Sequence, residues 1–130
     1  MPIRYFLAAT ALACVSTGAV ASGPAATEAM PVGCNELKQG QNDAAIAEIR
    51  GNSSLAKEDP ARLINLGIAL ARQGEEAQAE SYFRTALLSE ERVSLQTVEG
   101  EWVDSRELAR QGLRKLASGA FQRENLASLP

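Results

Sequence analysis

Two stretches near the middle of the chain carry apolar residues at helical spacing. In the first, residues 61–73, the positions that share one helical face are Leu63, Leu66, Gly67, Leu70 and Ala71. Asp59 and Pro60 are typical of the start of a helix, and Gly74 is typical of its end. In the second stretch, from Glu75 to about Ser89, one stripe contains Ala79, Tyr82, Phe83, Ala86 and Leu87. Because the break between the stretches is short, the pattern predicts an antiparallel helix hairpin.

A spacing of 34 residues links this hairpin to the chain before it. The residues that match at this offset are Gly33 and Gly67, Gly40 and Gly74, Ala45 and Ala79, and Ile49 and Phe83. The earlier copy is weaker. It predicts a helix at 44–50, but Pro31 and Gly33 disfavour a full helix before it. The spacing therefore predicts about one and a half repeats within residues 33–93.

The pattern changes after the second helix, and residues 94–118 are predicted to form a short β-hairpin and a C-terminal helix. Val93, Leu95 and Thr97 alternate with polar residues, and Glu99-Gly100 favours a turn. Asp104 followed by Glu107 is typical of a capping box. The helix over 105–118 is expected to cover the stack and to bury Ala109, Leu113, Leu116 and Ala117.

Gly119 and Trp102 flank the predicted C-terminal helix. Gly119 is expected to end the helix, which leaves residues 119–130 as a tail. Trp102, the only tryptophan, is interpreted as a core anchor that seals the last hairpin. The alternative is an exposed aromatic side chain in a ligand groove.

The first 21 residues have the order of a secretory signal peptide. Arg4 and the amino terminus form a positive start, residues 5–15 form an apolar run, and Ala19-Val20-Ala21 is typical of a cleavage site. The apolar run is shorter than the roughly 20 residues of a membrane span. We therefore expect cleavage near Ala21, a flexible leader at 22–32, and a periplasmic or secreted protein with no membrane span after processing.

The two cysteines bear on this interpretation. Residues 11–14, Ala-Leu-Ala-Cys, resemble a bacterial lipoprotein cleavage box, so lipidation at Cys14 is an alternative to soluble export. Cleavage near Ala21 would remove Cys14 and leave Cys34 alone, without an internal disulfide. Cys34 is then interpreted as a half-buried thiol, with an intermolecular disulfide and a catalytic thiolate as alternatives.

The second copy resembles a tetratricopeptide repeat over residues 60–93. The residues that carry the resemblance are Leu63, Leu66, Gly67, Leu70, Gly74, Ala79, Phe83 and Ala86. The first copy resembles a degenerate or capping repeat, and the stretch before Pro60 is about three residues longer than the repeat length predicts. The resemblance, which extends to small exported bacterial repeat proteins, implies stacked antiparallel helix pairs whose concave face binds peptides or proteins.

Composition removes several classes of function. The 130 residues contain no His, which excludes Ser-His and Cys-His nucleophile pairs and His-ligated metal sites. The sequence contains no spaced metal cluster or Gly-rich phosphate loop. A formal charge of −3, from 13 Lys+Arg against 16 Asp+Glu, disfavours nucleic acid. We therefore predict a protein that is not an enzyme and that uses no cofactor or metal.

Two sets of polar residues are candidates for partner binding. Asn65, Ile68 and Arg72 lie off the apolar stripe of their helix, and such positions face the concave groove in the repeat family. Arg106, Arg110 and Arg114 recur every four residues and form one basic row. The alternative for both sets is a solvated face.

The sequence as a whole predicts a mainly α protein: tetratricopeptide-like helix hairpins, a short β-hairpin and a C-terminal capping helix. Its predicted function is a protein or peptide interaction module of the bacterial envelope. The alternative is a structural or self-associating envelope protein without a peptide groove, because an open end of the stack can be buried by a second copy.

Overall fold

The computed structural model describes residues 14–17 and 33–127, with the backbone alone for residues 15–17 and 125–127. The predicted cleavage site, the leader at 22–32 and the last three residues lie outside these ranges. Within them the chain is mainly helical, as predicted, and its helices are α1 (Cys34–Lys38), α2 (Asn42–Gly51), α3 (Pro60–Arg72), α4 (Glu76–Leu88), α5 (Ser105–Ser118) and α6 (Ala120–Ala127). None of these helices is long and apolar enough to cross a membrane.

A small antiparallel sheet packs beside the helices, in the order β1 (Val15–Thr17), β2 (Ser94–Thr97) and β3 (Trp102–Asp104). The predicted hairpin of β2 and β3 is confirmed, with Gly100 at a φ of 85° in its turn. β1 was not predicted, because its residues were assigned to the signal peptide. β1 pairs with β2 and also contacts α3.

The hairpins α1–α2 and α3–α4 share one turn geometry. Gly40 and Gly74 both adopt a left-handed backbone, with φ of 72° and 82°, which costs glycine little. The hydrogen bonds around them recur at an offset of 34 residues. These pairs of bonds are Gln41 N to Glu36 O (2.8 Å) and Glu75 N to Leu70 O (2.9 Å), and Gly40 N to Leu37 O (3.2 Å) and Gly74 N to Ala71 O (3.1 Å). The 34-residue spacing in the sequence therefore corresponds to a turn that is repeated in the structure.

The packing inside each hairpin also repeats at this offset. A Cβ added at Gly67 would lie 2.7 Å from Cε1 of Phe83, and a Cβ added at Gly33 would lie 2.9 Å from Cδ1 of Ile49. Both Phe83 and Ile49 are fully buried. Each hairpin thus places a glycine, Gly67 inside α3 and Gly33 at the N-cap of α1, against one large apolar side chain of its second helix.

α5 repeats several features of α3, although the sequence interval is 45 residues instead of 34. Asp104 caps α5 through the backbone N–H of Arg106 (2.9 Å), as Asp59 caps α3 through the N–H of Arg62 (3.0 Å). Gly119 ends α5 in a left-handed backbone, as predicted. Gly112 packs on the ring of Phe83, where an added Cβ would lie 2.5 Å from Cε1. The chain therefore contains a third helical unit, separated from the second by the β-hairpin.

α6 folds back across the helices instead of continuing as a tail. Its Phe121 is buried and stacks on Phe83, with ring centroids 6.2 Å apart and planes 12° apart. Gln122 donates a hydrogen bond to the carbonyl of Ala71 in the last turn of α3 (3.0 Å). Phe83 is therefore enclosed by α3, α5 and α6 together.

Most predicted core positions of α3 and α4 are buried, but Tyr82 and Leu87 are only half-buried and pack at the margin of the core. The buried positions are Leu63, Leu66, Gly67, Leu70, Ala71, Ala79, Phe83 and Ala86. The prediction for α5 is partly wrong. Leu113 and Leu116 pack at the margin of the core and Ala117 is exposed, whereas Leu108 and Gly112 are buried. The buried face of α5 is rotated toward these residues because the small Gly112 allows the helix to approach Phe83 closely.

Candidate interaction surface

A groove opens between the start of α3 and the end of α4, at the end of this hairpin opposite its turn. Its volume is about 550 Å³, and its lining residues are Ala56, Glu58, Leu63, Thr85, Leu88, Ser89, Glu90 and Glu91. Leu63 is buried, whereas Leu88 is 80% exposed. The groove and the exposed Leu88 at its edge together give a concave surface that a partner side chain can occupy.

The loop at 52–59 forms one wall of the groove and is held to the helices. Asn52 Oδ1 accepts a hydrogen bond from the N–H of Ser54 (3.0 Å), and the Arg62 guanidinium donates to the carbonyl of Leu55 (3.4 Å). The side chain of Leu55 packs against the core. These contacts fix the wall without covering the groove.

The rim of the groove is acidic. Glu58, Glu90 and Glu91 are exposed, and in the part of the chain that the structure describes none of them takes part in an ion pair. Arg92, the next residue along the chain, is instead paired with Asp104. The C-terminus of α4 lies at the same rim and adds the partial negative charge of a helix end.

Asp104 is anchored by several donors. Desolvation raises the pKa of its carboxyl, but the hydrogen bonds from Arg92 and from the backbone N–H groups of Arg106 and Glu107 outweigh it. The net result is a pKa below the ordinary value. Asp104 is therefore an ionised partner for Arg92.

The structure contradicts the predicted groove on α3. Asn65 and Ile68 are fully buried, and Arg72 is half-buried, with desolvation lowering the pKa of its guanidinium. The Arg72 guanidinium donates to the carbonyl of Leu37 in α1 (2.9 Å). The reason is that α3 is the central helix, in contact with α2, α4, α5, α6 and β1. These three residues are therefore structural in the described chain.

The predicted basic row on α5 is divided among internal contacts. Arg106 donates to the carbonyl of Ser89 (2.8 Å). Glu107 pairs with Arg110 (3.5 Å) and Arg114 (2.8 Å), and its pKa is lowered chiefly by the hydrogen bond from Arg114. Arg110 and Arg114 remain exposed, so they form a solvated face rather than a continuous positive strip.

Trp102 is not the predicted core anchor. The β-hairpin register places Leu95 opposite Val103 and Gln96 opposite Trp102. Leu95 is fully buried, so its pair faces the core and Trp102 faces outward with 51% of its surface exposed. The aromatic ring therefore lies on the outer face of β3, an edge strand of the sheet.

Cys34 is bonded to Cys14 in the full chain, with a Cα–Cα distance of 5.3 Å. This differs from the prediction of a lone Cys34, because that prediction removed Cys14 together with the signal peptide. The bond attaches β1 to the start of α1, and both cysteines are buried. Within the described ranges, no group of three or more His, Cys, Asp or Glu is arranged to hold a metal ion.

The sequence contained one signal for the groove. The stretch before Pro60 is longer than the repeat length predicts, and this extra length forms the wall at Ala56 and Glu58. Leu88 lies beside the apolar stripe of α4 and gave no signal, because a single exposed leucine is common on protein surfaces. Comparisons of the chain with protein-family models, with curated proteins and with solved structures find no match.

Proposed function

We propose that the chain is a non-catalytic protein or peptide interaction module of the bacterial envelope, built from tetratricopeptide-like helical units. The repeated turn at Gly40 and Gly74 supports the repeat assignment, as does the packing of Gly33 and Gly67 on the paired helix. α5 supplies a third unit, and about three units are what such stacks need for stability. The tetratricopeptide identity itself rests on resemblance in residue type and spacing.

The groove with Leu88 at its edge is the main support for an interaction function. A leucine that is 80% exposed contributes nothing to the core of the free chain. Covering its side chain with a partner would remove apolar surface from water, which stabilises a complex by about 25 cal/mol per Å². The concave shape next to it gives a partner side chain a place to insert.

Site-specific crosslinking tests this function. The full chain is produced in a bacterial host with a photo-reactive benzoylphenylalanine at Thr85, which lines the groove, or at Gln41, which is exposed near the turn of the α1–α2 hairpin. We expect a discrete protein adduct from the Thr85 position and none from the Gln41 position. Equal adducts at both positions, or none at either, would contradict the interaction function.

Export is a second part of the proposal, and it predicts the mass of the mature protein. Cleavage near Ala21 gives a chain that begins at Ser22 and carries one alkylatable thiol, at Cys34. Intact mass after alkylation measures both properties. A chain that keeps residues 1–21 and has no alkylatable thiol would contradict cleavage and show that the Cys14–Cys34 bond persists in the working protein.

Self-association is the second candidate function, and the exposed ring of Trp102 favours it. The ring lies on an edge strand, where a second copy can add a strand and cover apolar surface. Light scattering across a concentration series tests this candidate. A wild-type dimer that is lost in Trp102→Lys would support it, and a strict monomer at high concentration would exclude it.

A further inference from the structure

We propose that the groove at Leu88 binds a partner segment with a bulky apolar side chain next to lysine or arginine residues. The inference rests on the proposed interaction function and specifies the partner's chemistry. It depends on two properties of the same surface, its apolar centre and its acidic rim, which different residues supply.

The apolar centre sets the first requirement. Leu63 and Leu88 are the two large apolar residues of the lining, and Ala56 lies on the opposing loop. A volume of about 550 Å³ accommodates a leucine or phenylalanine side chain together with the backbone that carries it. A wholly polar segment would leave Leu88 without an apolar partner.

The acidic rim sets the second requirement. Glu58, Glu90 and Glu91 stand on two sides of the groove, on the loop and after α4. Arg92 follows the rim residue Glu91 in the chain and pairs with Asp104. Arg106 donates a hydrogen bond to the carbonyl of Ser89. Because the charged residues of the lining are three glutamates, an acidic segment would meet repulsion that the neighbouring Lys57 only partly offsets, whereas a basic segment would pair with the rim.

Peptide binding to the full chain tests the partner class. Three fluorescein-labelled peptides, KKLFLKK, EELFLEE and KKSSSKK, are titrated by fluorescence anisotropy. We expect KKLFLKK to bind with an affinity that falls as salt is raised, because exposed charges are screened. We expect the other two peptides to bind about tenfold more weakly or not at all.

Variants of the protein locate the binding. The pair Glu90→Lys and Glu91→Lys should weaken KKLFLKK about tenfold, and Leu88→Ser should weaken it by a similar factor. The matched control is the pair Glu75→Lys and Glu76→Lys, which makes the same change of net charge at the other end of α4. The control should bind within about twofold of wild type. Circular dichroism verifies that each variant is folded.

The outcomes separate this inference from the proposed function. If both double variants weaken KKLFLKK equally, binding follows net charge and the inference is overturned. If EELFLEE binds as well as KKLFLKK, the acidic rim has no role and the inference is overturned as well. In either case adducts at Thr85 would still support the interaction function, and their absence would remove the function too.

Discussion

The α1–α2 and α3–α4 hairpins have the same turn but are closed in different ways. In α3–α4, Phe83 fills the space next to Gly67 and also contacts Gly112 of α5 and Phe121 of α6. In α1–α2, Ile49 fills the space next to Gly33, and a disulfide ties the start of α1 to Cys14. The α3–α4 hairpin is closed by α5 and α6, which follow it, whereas the α1–α2 hairpin packs on α3 and is joined by a covalent bond to the segment before it.

The difference indicates that two hairpins with the same turn geometry need not contribute equally to the stability of the fold. The turn geometry is local, because glycine and a few backbone hydrogen bonds determine it. The contribution of each hairpin to the core depends on what packs against its large apolar residue. Phe83 contacts three helices, α3, α5 and α6, whereas Ile49 contacts Gly33 of its own hairpin and lies on α2, which packs against α3.

Removing the side chains of Phe83 and Ile49 should reveal the largest difference in stability between the two hairpins. Phe83→Ala should lower the free energy of unfolding by about 4 kcal/mol, and Ile49→Ala by about 3 kcal/mol, since the cavity at Phe83 opens to three helices. Urea unfolding followed by circular dichroism measures both. Phe83→Leu and Ile49→Val serve as milder variants that stay folded. A larger loss at Ile49 in both series would show that the first hairpin dominates the core.

Reduction of the disulfide should affect the α1–α2 hairpin more than the α3–α4 hairpin. Cys14 and Cys34 are 20 residues apart, and a loop of this size corresponds to about 3 kcal/mol in the chain-entropy description. We expect amide hydrogen exchange in the full, unprocessed chain to accelerate in α2 on reduction and to change less in α4. Equal acceleration in both helices would mean that the two hairpins open as one unit.

The two turn glycines, Gly40 and Gly74, should contribute equally to stability because their backbone geometry is the same. Gly40→Ala and Gly74→Ala place a Cβ on a left-handed backbone, and neither added atom meets a close neighbour. Each substitution should therefore cost about 1 kcal/mol of stability through strain alone. Thermal unfolding of the two variants measures the difference. A difference above the error of the measurement would show that the turns are equivalent in geometry but not in energy.

Acid should weaken the side of the core that α5 covers. The pKa of Asp104 is lower in the folded chain than its ordinary value of 3.8, so ionised Asp104 stabilises the fold above that value. This contribution is lost as the pH falls through the lower folded pKa. Asp104→Asn keeps an N-cap that does not titrate. We expect the stability difference between wild type and this variant to shrink below about pH 4. A difference that does not change with pH would contradict the lowered pKa of Asp104.

Local signals in the sequence predicted much of the fold. Asp59, Gly74 and Gly119 determine helix ends through contacts with nearby backbone, and the β-hairpin follows from alternation and a turn at Gly100. The exposed Trp102 was predicted incorrectly because adjacent strand residues face opposite sides. The pairing of Leu95 with Val103, which decides the side, joins two strands.

The predicted site failed for a related reason. Asn65 and Ile68 lie off the apolar stripe of their helix, yet both are fully buried on α3, which contacts five other elements, some of them far away in the sequence. Gly112 likewise gave no local signal, since its role is defined by the distant ring of Phe83. Helical periodicity identifies the face toward the nearest neighbour but does not show whether the opposite face is covered.

The enclosure of Phe83 also determines when the core can close during synthesis. Phe83 leaves the ribosome before Gly112 and Phe121, the residues that complete its surroundings. In a partial chain that ends after α4, the side chain of Phe83 therefore lacks its contacts with Gly112 and Phe121. The packing around Phe83 therefore has to wait until Phe121 has been made. Under the export proposed above, this order of synthesis would leave the core open while the chain is threaded across a membrane.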